Sequence, residues 1–173
     1  MRIADALLPE LDQELATTRK CLARIPADKF TYKPHPKSFD MGSLSIHIAT
    51  MLGWGVTTIQ SDSFDYAPEG GEPYVPPVAN TTEELLALFD KGAAEFRAAL
   101  VTAENDTMMK PWSLLGGGKV MFTMPKIAVI RGMIFNHIVH HRGQLSVYLR
   151  LLDVPVPSVY GPTADEANAF VAR

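Results

Sequence analysis

The chain has 173 residues, 47% of them hydrophobic, with a formal net charge of −3 and a pI near 5.9. That is long enough for a single domain with a full core, spanning residues 1–173, and no Lys/Arg cluster or stripe marks a nucleic-acid surface. No uninterrupted apolar run reaches membrane-spanning length. Asp5, Glu10 and Asp12 in an amphipathic opening segment argue against a signal peptide. The one cysteine, Cys21, allows no internal disulfide and fits a reducing compartment, so a cytoplasmic location is the expectation.

Ile3, Leu7, Leu8, Leu11, Leu15, Leu22 and Ile25 recur at helical spacing and predict a first amphipathic helix from about Arg2 to Arg24, closed by Pro26. Cys21 falls within that pattern as a small core residue. Residues 26–39, with Pro34, His35 and Pro36, read as an irregular connection in which His35 has a surface or structural role. A second helix is expected from an N-cap at Asp40 to about Gln60. Its apolar side carries His47 among Leu44, Met51 and Trp54. By itself such a histidine is an ordinary core residue.

Residues 61–80 are rich in Pro, Gly and acidic side chains and form a long surface crossover whose Tyr, Phe and Val should pack on the helices. Thr81 and Glu84 have capping-box spacing and open a third helix to about Ala103, with Leu85, Leu88, Phe89, Phe96 and Leu100 inward. Two short extended pieces flanking Gly116-Gly117-Gly118 predict a small β-hairpin insertion before the last helix. The glycines lack the Lys-Ser/Thr sequel of a phosphate loop.

The last long helix, from about Pro125 to Leu152, carries three of the five histidines. At about 100° per residue, His137 and His141 project from one face, in the same sector as Ile130, Ile134, Leu145, Tyr148 and Leu152. Buried neutral imidazoles must satisfy two ring nitrogens each, and a divalent cation takes one lone pair from every ring. If the second helix packs on this one, His47 joins the pair in a core site between facing helices. Three such neutral ligands leave open positions for water or substrate.

Gln144, one turn after His141, and Tyr148 are candidates for holding the rings in place. His140, about 60° from His137 around the helix, is given an orienting or structural role, and Trp54 a place near the pocket. Arg142 leaves the histidine face, for a salt bridge or a dimer contact. A second stripe of Ala128, Phe135, Val139 and Ser146 points to a homodimer. No Glu follows His137, which excludes the His-Glu-x-x-His zinc protease pattern, and no Glu-x-x-His pair occurs, which excludes a di-iron carboxylate bundle. The residues alone leave haem ligation by His47 open, though there are no attachment cysteines. No general base is assigned; Asp40 and Tyr148 are weak choices.

His47 within Gly42-Ser43-Leu44-Ser45-Ile46-His47-Ile48-Ala49 and the run His137-x-x-x-His141-Arg142-Gly143-Gln144 resemble the DinB family. Tyr148-Leu149-Arg150 and the tail from Val154 to Pro162 fit the same pattern. The resemblance covers essentially the whole chain. It implies an all-α, four-helix up-down-down-up bundle with long crossover loops, usually a homodimer. It also implies metal ligation by His47, His137 and His141, typically of nickel or zinc, with His140 outside the ligand set. Imidazole ligands suit iron and copper as well. Members of this family and its relatives include bacillithiol S-transferases and mycothiol-dependent maleylpyruvate isomerase. The functional expectation is therefore a metal-dependent enzyme, an S-transferase or hydrolase acting on a small molecule, with a low-molecular-weight thiol as the candidate cosubstrate, through metal-activated thiol or water. The alternatives are a non-enzymatic metal-binding stress or damage-response protein, and a plain helical scaffold.

Overall fold

The structure, a computed structural model, describes residues 1–166. Three helices of equal length are α1 (Ile3–Leu22), α2 (Met41–Gln60) and α3 (Thr82–Val101). At 20 residues each they are about 30 Å long. A one-turn helix, α4 (Asn105–Met109), follows, and its Asn105 Oδ1 accepts from the backbone N–H of Ile3 at 2.7 Å, capping the start of α1. The last helix is composite: α5 (Lys126–Val129), a π-helical segment (Ile130–Phe135) and α6 (Asn136–Leu151). α1 packs on α3 and α6, and α2 packs on α3 and α6, around a shared apolar core.

Local chemistry sets the ends of these helices. Asp40 accepts the N–H of Ser43 at 2.7 Å and starts α2. Thr81 Oγ1 accepts the N–H of Glu84 at 3.1 Å, while Glu84 reaches back to the N–H of Asn80 at 2.7 Å, one residue earlier than the usual reciprocal bond. Gly55 lets α2 and α3 approach closely: a Cβ there would meet the Phe96 ring at 2.6 Å.

The expected hairpin is part of a three-stranded sheet. β2 (Pro111–Gly116) and β3 (Lys119–Pro125) pair antiparallel around Gly117 and Gly118, whose φ angles of 62° and 72° suit a tight hairpin turn. β1 (Ser63–Asp65), from the crossover, adds a parallel edge beside β2 with Ser63 opposite Ser113. At three residues β1 is too short to show a period-two pattern. Asp65 fastens it, accepting from the N–H groups of Ala67 (3.0 Å) and Gly118 (2.7 Å). Trp112, Leu114 and Val129 form a second, smaller core with Trp54 and Phe64 packed on it, so the sheet seats the crossover against α2.

Two side chains of the last helix tie it to the two ends of α2, on either side of the histidines. The buried Lys126 ammonium donates to the carbonyls of Ile59 (3.1 Å) and Ser61 (2.7 Å) and pairs with Asp62 at 3.0 Å. At the other end the Tyr148 hydroxyl donates to the Phe39 carbonyl at 3.0 Å. By sequence, residues 164–171 read as a short terminal helix; from residue 167 on they lie outside the described residues, and Ala164–Glu166 form a bend. No helix among the described residues is long and apolar enough to cross a membrane.

Candidate metal centre

His47 stands two turns into α2, facing α6. The π segment widens the last helix immediately before Asn136, and His137 and His141 follow one turn apart on α6. Packing of α2 on α6 brings the three rings together. Their centres lie 5.2 Å apart for His47 and His137, 4.7 Å for His47 and His141, and 4.6 Å for His137 and His141. One ring nitrogen from each lies within 4.8 Å of the other two, and among the described residues no other group of three His, Cys, Asp or Glu does this.

These dimensions fit a bound cation. An ion about 2.0–2.1 Å from each nitrogen would stand about 3.2 Å from each ring centre, giving centre separations of about 4.5 Å for right-angled and about 5.2 Å for tetrahedral ligands. The observed separations span that interval. Coordination therefore asks for rotation of the rings, not for movement of the helices.

Protonation fits as well. Burial pushes the His47 imidazole down from 6.5 to about 4, with His141 and His137 adding to the effect. Burial, then His141, lowers His137, partly offset by a backbone contact with Met133 in the π segment. Burial also lowers His141, with a smaller push from His140 and an opposing pull from Gln144. All three rings are thus held neutral near pH 7, the form that donates a lone pair.

Gln144 fixes the tautomer of His141. Its amide oxygen lies 2.7 Å from His141 Nδ1, and an amide oxygen can only accept, so Nδ1 carries the proton and Nε2 is left with its lone pair. The amide nitrogen of Gln144 donates to His140 Nε2 at 3.1 Å, so His140 orients Gln144 from outside the three-ring group. Tyr148 makes its bond to Phe39 and not to an imidazole. Trp54 lines a cavity beside His47 and His137, in an aromatic group with Phe64 (5.4 Å) and Tyr74 (6.0 Å).

That cavity, of about 500 Å³, opens between α2 and the crossover. A separate cleft lined by Lys37, Gln144 and Tyr148 borders His141. His35 lies apart, its Nδ1 accepting from the N–H of Lys37 in a local turn at 3.2 Å. Cys21 is buried, and burial raises its thiol, consistent with a packing role.

Arg142 turns away from the histidines into the interior, where it is 2% exposed. Its guanidinium donates to Glu14 Oε2 (2.6 Å), Thr18 (3.1 Å) and the Tyr160 hydroxyl (2.7 Å), and that hydroxyl donates to Glu14 Oε1 at 2.7 Å. Of the two roles expected for it, the salt bridge is the one present, and it is internal. In the stripe expected to meet a partner, Phe135 is covered within the chain, 6.1 Å from the Phe96 ring, while Ala128, Val139 and Ser146 are half-buried.

A sequence model of the DinB family matches residues 2–169. The chain belongs to the DinB family. Among curated proteins it is similar to the uncharacterized protein YrdA of Bacillus subtilis (strain 168), at 26% identity over 167 residues, or 96% of this chain and 93% of that one. Among solved structures it resembles a DinB-like protein from Bacillus cereus ATCC 10987, with a TM-score of 0.70, 21% identity and coverage of 90% of this chain and 97% of that one. A second DinB-like protein, YjoA from Bacillus subtilis, gives a TM-score of 0.68 at 16% identity, covering 89% and 96%. At those identities the two structures establish a DinB-like fold, mostly helical with a small sheet, and nothing of the chemistry.

Proposed function

We propose that this DinB protein is a divalent-metal-dependent enzyme whose centre is His47, His137 and His141. The observation that carries this reading is the convergence of three neutral imidazoles from two helices within 4.8 Å. Three uncharged ligands cancel none of a cation's charge, and when bound such an ion would act as a Lewis acid, lowering the pKa of a thiol or water in its open positions. Gln144 holds the His141 ring, His140 holds Gln144, and Trp54 and its neighbours keep bulk water from one side. The reaction class we infer is S-transfer from a low-molecular-weight thiol to a small-molecule electrophile, or the corresponding hydrolysis. Nickel and zinc are the metals we favour, with iron and copper compatible with the ligands.

The helix arrangement we infer is up-down-down-up. The stretch from Ser61 to Thr81, at about 3.3 Å per residue, is ample to return the chain along a 30 Å helix so that α2 and α3 run the same way. We also propose a homodimer using the exposed side of the last helix; sedimentation as a monomer at micromolar concentration would refute it.

Metal analysis tests the main reading. Protein purified from metal-replete cells should hold about one ion per chain, and a His137→Ala/His141→Ala variant less than about a tenth of that. Equal, negligible metal in both would overturn it. Metal-dependent transfer of glutathione or bacillithiol to an electrophile would then establish turnover.

A further inference from the structure

The cavity beside the histidines has a chemical character of its own. Its floor is Ile46, Met51 and Trp54 of α2, and its roof is Tyr74, Pro76, Pro77 and Val78 of the crossover. Among the described residues lining it there is no Asp, Glu, Lys or Arg, and its polar groups are the hydroxyls of Ser43, Thr50 and Tyr74 and the ring nitrogens of Trp54, His47 and His137. The Thr50 hydroxyl is committed to the His47 carbonyl at 3.1 Å. Pro76 and Pro77 have no backbone N–H, so the roof at those positions offers no amide to an anion. A carboxylate or phosphate entering here would exchange its water for a few neutral donors and meet no cationic side chain. An apolar ring would meet matching surface, and it would cover Val78 and Phe39, which are 77% and 54% exposed at the cavity's edge.

We infer that this cavity binds an uncharged aromatic group, and that it selects substrates carrying one. The second half of that statement rests on the metal-dependent reading above; the first does not. Lys37 and Gln144 mark the neighbouring cleft as the polar side, so the two approaches to the histidines differ in the chemistry they admit.

Two titrations test this separately from turnover. In metal-free protein, 2-naphthol should bind, followed by its fluorescence, at least about 10-fold more tightly than the anion 2-naphthoate. Ile46→Trp, which fills the cavity, and Val78→Glu, an exposed roof position where folding is not at stake, should each weaken 2-naphthol. Equal binding of the two probes, a preference for the anion, or affinity unchanged by both variants would overturn the inference. In cobalt-loaded protein, 4-phenylimidazole should perturb the visible absorption at a concentration at least about 10-fold lower than imidazole does. Equal affinities would place the cavity away from the centre and overturn the link to substrate. Failure to load cobalt would instead refute the metal reading, leaving the naphthol preference to decide on the cavity.

Discussion

Two polar clusters share α6 and are built on opposite plans. Around Arg142 the guanidinium, Glu14, Thr18 and Tyr160 donate and accept among themselves, with all but Tyr160 buried. Around His141, one residue earlier, the rings are drawn together and kept neutral, with His47 and His137 lining a cavity and His141 a neighbouring cleft. Among the described residues no hydrogen bond engages the ring of His47. The first cluster is complete within the chain and reads as structure. The second brings together lone pairs that the protein itself leaves unused, and reads as a place for something else. Proximity to buried charge does not distinguish them; whether the donors and acceptors balance does.

The comparison is broken most forcefully from the Arg142 side. Glu14→Ala strands a buried cation and should destabilise the fold by about 3–5 kcal/mol in urea unfolding, without altering the metal content of the protein that remains folded. A small effect there would mean that Arg142 reaches solvent or another anion. Gln144→Ala should do the reverse, weakening metal affinity about 10- to 100-fold in competition with a chelator while leaving unfolding nearly unchanged. If metal affinity is unmoved, the His141 tautomer is set by something other than this amide.

The subtlest effect is on pH dependence. In metal-free protein His47 is held at about 4 when folded, against 6.5 ordinarily, so between those values the unfolded chain binds more protons than the folded one. Stability should be flat above about pH 6.5, fall as the pH drops towards 4, and level off below. His137 and His141 are lowered too and add in the same direction. Urea unfolding of wild type and His47→Gln across this range should show a shallower slope in the variant; identical slopes would mean that His47 is not desolvated in the folded state.

Much of this was legible in the sequence because it is local. Asp40 and Thr81 are capping residues whose partners lie three positions on, and the spacing of His137 and His141 puts them on one face whatever the tertiary structure. What stayed hidden depends on long-range contacts. Glu14 and Arg142 are 128 residues apart, and neither position declares its partner. Tyr148 was expected to serve the rings because it shares their face, but a carbonyl 109 residues away claims its hydroxyl. The π segment leaves no compositional mark, since Ile130–Phe135 would serve equally well as α-helix. The cavity roof is invisible for another reason: Pro76, Pro77 and Val78 line a cavity over α2 in a crossover whose β1 pairs with β2, a long-range contact that three residues do not announce.

The ties made by Lys126 and Tyr148 bear on how an ion would enter the proposed centre. They clamp α2 to the last helix above and below the three rings, so the gap between the two halves is set by the polypeptide and not by the guest. On the proposed reading, folding would not require the ion. Loading would then be an event of its own, governed by whichever metal the cell supplies and released from any part in assembling the fold.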